Sequence, residues 1–308
     1  MKRLLMTITS AAALAALPAF ADEPLFGFVY TTDLLPKGKK EIEQWVTLRS
    51  GKAGGTFRQW EERTEFSYGV SDRFQLSLYG NWAQMRANRN GVDGATVPSE
   101  TFADLQPDPD AYLKARRFIG TSVEGIYRIW SPYIDPVGLA LYVEPTFGRG
   151  LRELESKLIV QKNFLDDRLI LAGNLTIAQE GRRLPADPDA DPGTPEAPAR
   201  WDHETDLNIN LGASYRFAPK WFAGIEFLDE REYSSFRIAN RFRTNNAYYL
   251  GPTIHFGDKN FFVTAAFVSQ MQGARDYANP PPGFIVGGRT YADDFERYRL
   301  RVKVGIYF

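Results

Sequence analysis

The chain has no cysteine among its 308 residues and only two histidines. The first absence excludes a disulfide framework, a thiolate metal centre, a cysteine nucleophile and a lipid anchor built on an N-terminal cysteine. The second leaves His203 and His255 as the only imidazoles, so no metal-spaced histidine cluster exists. An excess of one charge is missing too. With 37 basic against 38 acidic side chains the net charge is −1, and there is no electrostatic case for a nucleic-acid partner. Outside the extreme N-terminus no apolar run reaches the ~18 residues that a membrane-crossing helix needs. No phosphate-binding loop and no nucleophile elbow occurs, so no cofactor is expected. What the chain has in quantity is aromatic: 22 Phe, 15 Tyr and 6 Trp, or 14%.

The N-terminus has the layout of a targeting segment. Met1-Lys2-Arg3 is positive, Leu4 to Phe20 is mostly apolar, and Ala19-Phe20-Ala21 is a small-x-small cleavage site followed by Asp22-Glu23. This predicts a secretory signal peptide over residues 1–21, cut after Ala21. Its removal leaves 35 basic against 38 acidic groups, a net charge of −3. Residues 22–38 then form a periplasmic N-terminal segment, and residues 39–308 form the folded body.

That body alternates with period two. From Tyr298 to Phe308 one face reads Tyr298, Leu300, Val302, Val304, Ile306, Phe308, and the other reads Arg299, Arg301, Lys303, Gly305, Tyr307. Strict alternation over about ten residues is the pattern of a transmembrane β-strand, apolar toward lipid and polar toward the lumen. The same period marks Glu41–Arg49, Arg58–Tyr68, Phe74–Trp82, Ile119–Ile129, Val137–Phe147, Leu154–Val160, Leu169–Ile177, Leu207–Phe217, Trp221–Glu230, Ala247–Phe256 and Phe261–Gln270. Twelve strands are therefore expected. Ile119 is placed outward, and Glu62 falls outward between Trp60 and Thr64, which calls for either a bulge or an earlier strand end.

Connections support a barrel. Short turns carry Ser71-Asp72, Pro132, Asp166-Asp167, Pro219-Lys220 and Gly257-Asp258, whereas long ones run over 87–116, 181–202, 232–245 and 272–293. Short turns at one rim and long loops at the other is the outer-membrane arrangement. The fold expected is all-β, a transmembrane antiparallel up-and-down barrel with both termini periplasmic. Aromatic residues beside the short turns, among them Tyr68, Tyr127, Trp130, Phe164, Phe217, Trp221, Phe261 and Phe308, predict an interfacial girdle.

The inward faces carry the functional candidates. Arg297, Arg299, Arg301 and Lys303 form a basic ladder, and Glu61, Glu65, Glu124, Glu144, Glu153 and Glu155 are the carboxylates expected to compensate it. Eight strands enclose only side chains and sixteen to eighteen leave a channel, so roughly twelve predicts a narrow or occluded lumen of mixed charge. Hydrolase chemistry would have to rest on the two histidines. His255 sits one residue before a short turn. His203 adjoins Asp202, but neighbours on a strand point to opposite faces. Asp187, Asp189 and Asp191 beside it read as a solvated acidic rim rather than a cation site.

Four stretches resemble known proteins. The run Val29-Tyr30-Thr31-Thr32-Asp33-Leu34-Leu35-Pro36-Lys37-Gly38, then Glu43-Gln44-Trp45 and Tyr68-Gly69-Val70-Ser71-Asp72-Arg73-Phe74, resembles a family of uncharacterised proteobacterial outer-membrane proteins. It is distantly similar to the outer-membrane barrels of meta-pathway phenol degradation, which implies small-molecule transport and supplies no catalytic residue. The terminal strand ending in Phe308 resembles the assembly signal read by the barrel-assembly machinery. The expected partners are thus outer-membrane lipid, that machinery and a small solute. The expected function is an outer-membrane channel or transporter. The alternatives are a structural or loop-interaction protein and, last, an outer-membrane hydrolase.

Overall fold

The protein is described from a computed structural model that covers residues 24–52, 54–186, 190, 191, 193, 194, 197–271, 275, 276, 285, 286, 289, 290 and 295–308. The targeting segment with Ala21, and Asp187 and Asp189, lie outside the described residues. Twelve strands build the wall: β1 (Lys40–Ser50), β2 (Thr56–Ser71), β3 (Phe74–Asn88), β4 (Leu113–Trp130), β5 (Gly138–Gly148), β6 (Leu151–Phe164), β7 (Leu169–Leu184), β8 (Arg200–Ala218), β9 (Trp221–Tyr233), β10 (Arg243–Gly257), β11 (Phe261–Gln270) and β12 (Tyr298–Tyr307). Each pairs antiparallel with its neighbour, and β12 pairs with β1 over ten residues, from Glu41 opposite Tyr307 to Ser50 opposite Tyr298. The sheet closes into a barrel and presents no edge.

Side-chain exposure follows the period. In β6 Leu158 is 39% exposed and its neighbour Lys157 is 9% exposed. Ile42, Val46, Phe66, Leu76, Leu78, Leu141, Val143 and Ile306 face outward in the same way, and Glu43, Glu65, Ser77 and Tyr142 beside them are turned in. Aromatics crowd the short-turn rim: Trp221 lies 4.9 Å from Phe256, Phe256 lies 5.6 Å from Phe261, and Phe66 lies 6.4 Å from Phe308. A second outward belt crosses the wall higher up, with Trp82–Phe118 at 4.9 Å, Phe227–Tyr248 at 6.3 Å and Phe267–Tyr298 at 6.2 Å. Phe74 and Trp82 are eight residues apart on β3. That is ~26 Å along a strand and ~20 Å along the axis of a barrel with strands tilted ~40°, close to the ~25 Å of an apolar band.

One register expectation is corrected. Asn81 faces Gly120 but Trp82 faces Phe118, so Ile119 is the extra residue of a β-bulge. The bulge turns Ile119 inward, against the cluster around Phe102, and gives the outward position to Phe118. Glu62 belongs to no bulge. It pairs with Val46 and Trp82 in unbroken register and faces out at the height of the upper belt. A charge at that interface costs ~0–1 kcal/mol, against ~2–4 for a basic residue at the midplane.

Most strands run further toward the long-loop rim than their apolar stripe. β4 starts at Leu113, β7 continues to Leu184 and β8 begins at Arg200. Beyond the band both faces meet water, and the alternation that marks a strand disappears. At the opposite rim three successive left-handed residues, Leu165, Asp166 and Asp167, at φ 57°, 53° and 59°, make the tight β6–β7 turn.

Candidate functional site: the lumen

The lumen is occupied from both ends. Residues 24–36, read from the sequence as part of a periplasmic N-terminal segment over 22–38, run inside the barrel. Gly38, at φ +82°, turns the chain into β1, and its N–H donates to the Gly69 carbonyl at 2.7 Å. From there the segment crosses the short-turn half of the barrel, held by polar side chains from eight strands. The Leu35 N–H donates to Gln75 (2.8 Å), the Thr32 N–H to Gln161 (2.7 Å) and the Tyr30 N–H to Asn174 (2.7 Å). Glu226, fully buried, accepts from the N–H groups of Gly27, Phe28 and Val29 at 2.8, 2.7 and 3.2 Å. Arg301 donates to the Gly27 carbonyl at 3.1 Å and Thr264 to the Pro24 carbonyl at 2.6 Å. An extended segment away from the sheet has no ladder to satisfy its backbone, so the wall's amides and carboxylates do it.

Apolar side chains lock the same segment. Leu25, Phe26 and Val29 pack on Ile170, Ala172 and Phe222; Leu34 packs on Ile126, Ala140, Tyr142 and Ile159. Gly27 permits the closest approach, since a Cβ there would stand 2.4 Å from that of Ala266. Cations clasp the plug's rings: Arg301 lies 4.3 Å over Phe28 and Lys157 lies 4.5 Å over Tyr30. Asp33 accepts from Gln161 (3.1 Å) and Tyr133 (3.0 Å). Burial raises its carboxyl above the usual range, and these bonds draw it partly back.

At the other rim the loop between β3 and β4 folds into the mouth. Its single 3₁₀ turn, Glu100–Phe102, buries Phe102 among Phe57, Ala83, Met85 and Ala87. Glu100 reaches the facing wall and pairs with Arg182 at 2.6 Å. Carboxylate oxygens of Glu100, Glu204 and Glu232 lie within 4.8 Å of one another there. Between plug and loop remains a chamber of about 220 Å³, lined by Glu61, Arg63, Glu144, Glu153, Glu155, Glu180 and Arg182 with Asn81, Ser122 and Thr146.

The ten candidate residues do not form one unit. Arg299 is buried between Glu230 (2.5 Å) and Glu296, and its guanidinium covers the Tyr249 ring at 4.1 Å. Burial works against charge on Glu296, but Arg299 and Arg49 outweigh it and hold its carboxyl at about 2. Arg301 donates to Thr47 (2.8 Å) and to the plug. Lys303 stacks 3.7 Å over Trp45, beside Glu65 and Glu124 in a small cavity. Arg297 precedes β12 and donates its N–H to the Gly51 carbonyl at 2.7 Å. Of the six glutamates, Glu61 pairs with Arg49 (2.8 Å), Glu144 with Arg63 (2.6 Å) and Glu155 with Lys157. Glu153 faces Glu180 across the β6–β7 ladder. The ladder's compensation thus comes at Arg299 from Glu230 and Glu296.

The sequence reading missed the plug, and it placed the clamps Glu226, Asn174, Gln161 and Gln75 on inward faces without giving them a role. A signal was present: Leu25, Phe26, Phe28, Val29, Leu34 and Leu35 make the segment too apolar for a solvated tail, and Ile126, Ile159, Ile170 and Phe222 stand at inward positions. The two histidines are separated. His255 is buried, 2.7 Å from the Thr264 hydroxyl, and His203 is exposed with its ring 4.4 Å from Phe236.

These features define a closed, twelve-stranded antiparallel β-barrel with an internal plug. The chain belongs to a family of unknown function, DUF6662, whose profile matches residues 18–308. No curated protein sequence matches it. Among solved structures it resembles the COG4313 outer membrane channel from Pseudomonas putida F1, with a TM-score of 0.53 at 8% identity over 90% of this chain and 98% of that one. The NanC porin gives 0.49 at 11% identity over 86% and 98%. The translocator domain of the autotransporter NalP from Neisseria meningitidis gives 0.49 at 10% over 90% and 91%. At these identities the likeness is one of fold.

Proposed function

We propose that the protein is an outer-membrane channel for small solutes, closed at rest by its own N-terminal segment. The carrying observation is that the short-turn half of the lumen is filled by a separable strap and not by wall side chains alone. Residues 24–36 are joined to the wall covalently only at β1, and above them lies a charged chamber of about 220 Å³. In this reading the signal peptide ends at Ala21, the short-turn rim and both termini face the periplasm, and Phe308 presents the end that the assembly machinery reads. The channel likeness of the Pseudomonas putida barrel agrees with this, and the sequence resemblance to phenol-degradation barrels adds small aromatic compounds to the solutes worth testing.

The competing reading is a permanently plugged envelope protein, favoured by the density of bonds on the strap. Liposome swelling separates the two. Vesicles holding a variant lacking residues 24–36 should swell in small sugars and amino acids faster than those holding the intact protein. A deletion variant that folds, as judged by heat-modifiable gel mobility, and leaves the vesicles tight refutes the channel.

A further inference from the structure

We propose that the seam between the plug and strands β1, β2 and β4 binds one hard metal cation, with Glu43 and Glu65 as its principal ligands. A cavity of about 50 Å³ lies there, faced by Glu41, Glu43, Glu65 and Glu124 from the wall, by Asp33 from the plug and by Lys303. Five carboxyl groups thus meet one ammonium, and that ammonium is already stacked on Trp45 at 3.7 Å.

Glu43 and Glu65 stand directly opposite each other in the β1–β2 register. They are 4% and 5% exposed. One oxygen of each, Glu43 Oε1 and Glu65 Oε2, is buried with no hydrogen-bond partner. The neighbouring carboxylates are satisfied: Glu124 accepts from Tyr79 (2.7 Å) and Ser77 (3.2 Å), and Asp33 from Gln161 and Tyr133. Like charges facing each other across a ladder repel, and a buried charge without a partner is costly. A cation between them removes both penalties.

The donors set the class of ion. Carboxylate oxygens, with Thr31 also lining the cavity, suit Ca²⁺, which takes oxygen ligands in a flexible geometry and completes its shell with water. A water needs ~10–15 Å³ of such space, so the cavity has room for an ion and about two waters. Because Thr31 and Asp33 belong to the strap and Glu43 and Glu65 to the wall, the bound ion would pin one to the other. A single proton shared by Glu43 and Glu65 would relieve the same repulsion, and it is the outcome the experiment must exclude.

The test is calorimetric titration of the metal-stripped mature protein with Ca²⁺ in detergent free of lipopolysaccharide. One site per chain is expected. Glu43→Gln with Glu65→Gln should weaken binding at least tenfold, whereas Glu204→Gln with Glu232→Gln, at the acidic mouth, should leave it unchanged. Terbium in place of calcium should luminesce under tryptophan excitation because Trp45 lines the cavity, and Trp45→Phe should dim it without loss of binding. This second readout needs neither glutamate to be altered. No saturable Ca²⁺ binding, binding abolished by the mouth pair and kept by the Glu43/Glu65 pair, or terbium emission indifferent to Trp45 would each overturn the proposal.

Discussion

Removing the Glu226 carboxylate should release the strap. In the closed barrel this group accepts three backbone N–H donors, from Gly27, Phe28 and Val29, at 2.7–3.2 Å with no exposure to solvent. Glu226→Ala leaves those donors without an acceptor, and a buried donor stripped of its partner costs ~1–3 kcal/mol. The three share one carboxylate and a freed N–H can regain part of its hydration in the vacated space, so the closed state should lose about 3–4 kcal/mol. At ~1.4 kcal/mol per factor of ten, the fraction of barrels with the strap undocked should rise roughly 10²–10³-fold. Limited proteolysis of the folded protein in detergent reads this directly: when opening is fast relative to cleavage, the rate of clipping tracks the open population whatever its starting value. The barrel should survive, since Glu226 touches the neighbouring strands only through Thr253 and takes no part in their backbone ladders. A folded Glu226→Ala protein whose N-terminal segment is cut at the wild-type rate would show that this carboxylate does not hold the strap in place.

Leu158→Arg should fold into vesicles far less well than Lys157→Leu, because a basic group on the lipid face costs ~2–4 kcal/mol toward the midplane. Lys157→Leu loses only an inward contact with Glu155 and two rings; equal yields would show the β6 register to be wrong. Arg299→Glu should lower the unfolding temperature, since a third carboxylate would join Glu230 and Glu296 in place of their cation, and breaking a buried pair costs ~3–5 kcal/mol. An unchanged melting curve would contradict the pairing. Deleting Phe308 should reduce the amount of protein reaching the outer membrane, measured by fractionation; undiminished levels would remove the terminal strand from any role in assembly.

Much of this architecture is legible in the chain because lipid enforces it. Every wall strand crosses an apolar band, so Leu158 and Lys157, or Val302 and Lys303, declare their faces by alternation alone. The bulge at Ile119 is hidden because Phe118 and Ile119 serve equally well as outward residues, and only the pairing of Trp82 with Phe118 decides between them. The strand ends beyond the band are hidden for want of any contrast. Arg299 could be read as lumen-facing, but its partners Glu230 and Glu296 come from β9 and from the approach to β12, and no local pattern links them. The strap is the largest omission. Its polar bonds run to residues up to 274 positions away, and its apolar side chains have no periodicity because they pack on a curved interior rather than on a sheet or helix face.

The most direct measurement of the closed-channel account uses the absence of native cysteine. A Cβ at Gly138 would lie 2.4 Å from Thr32 Oγ1, so Thr32→Cys with Gly138→Cys brings two thiols close enough to tie the strap to β5 after a small shift. Introduced together with Glu226→Ala, the pair gives one molecule in two states. In planar bilayers the reduced protein should conduct and the oxidised protein should be silent, with reductant restoring the current. Equal conductance before and after a crosslink verified by mass would place the path outside the lumen that residues 24–36 fill.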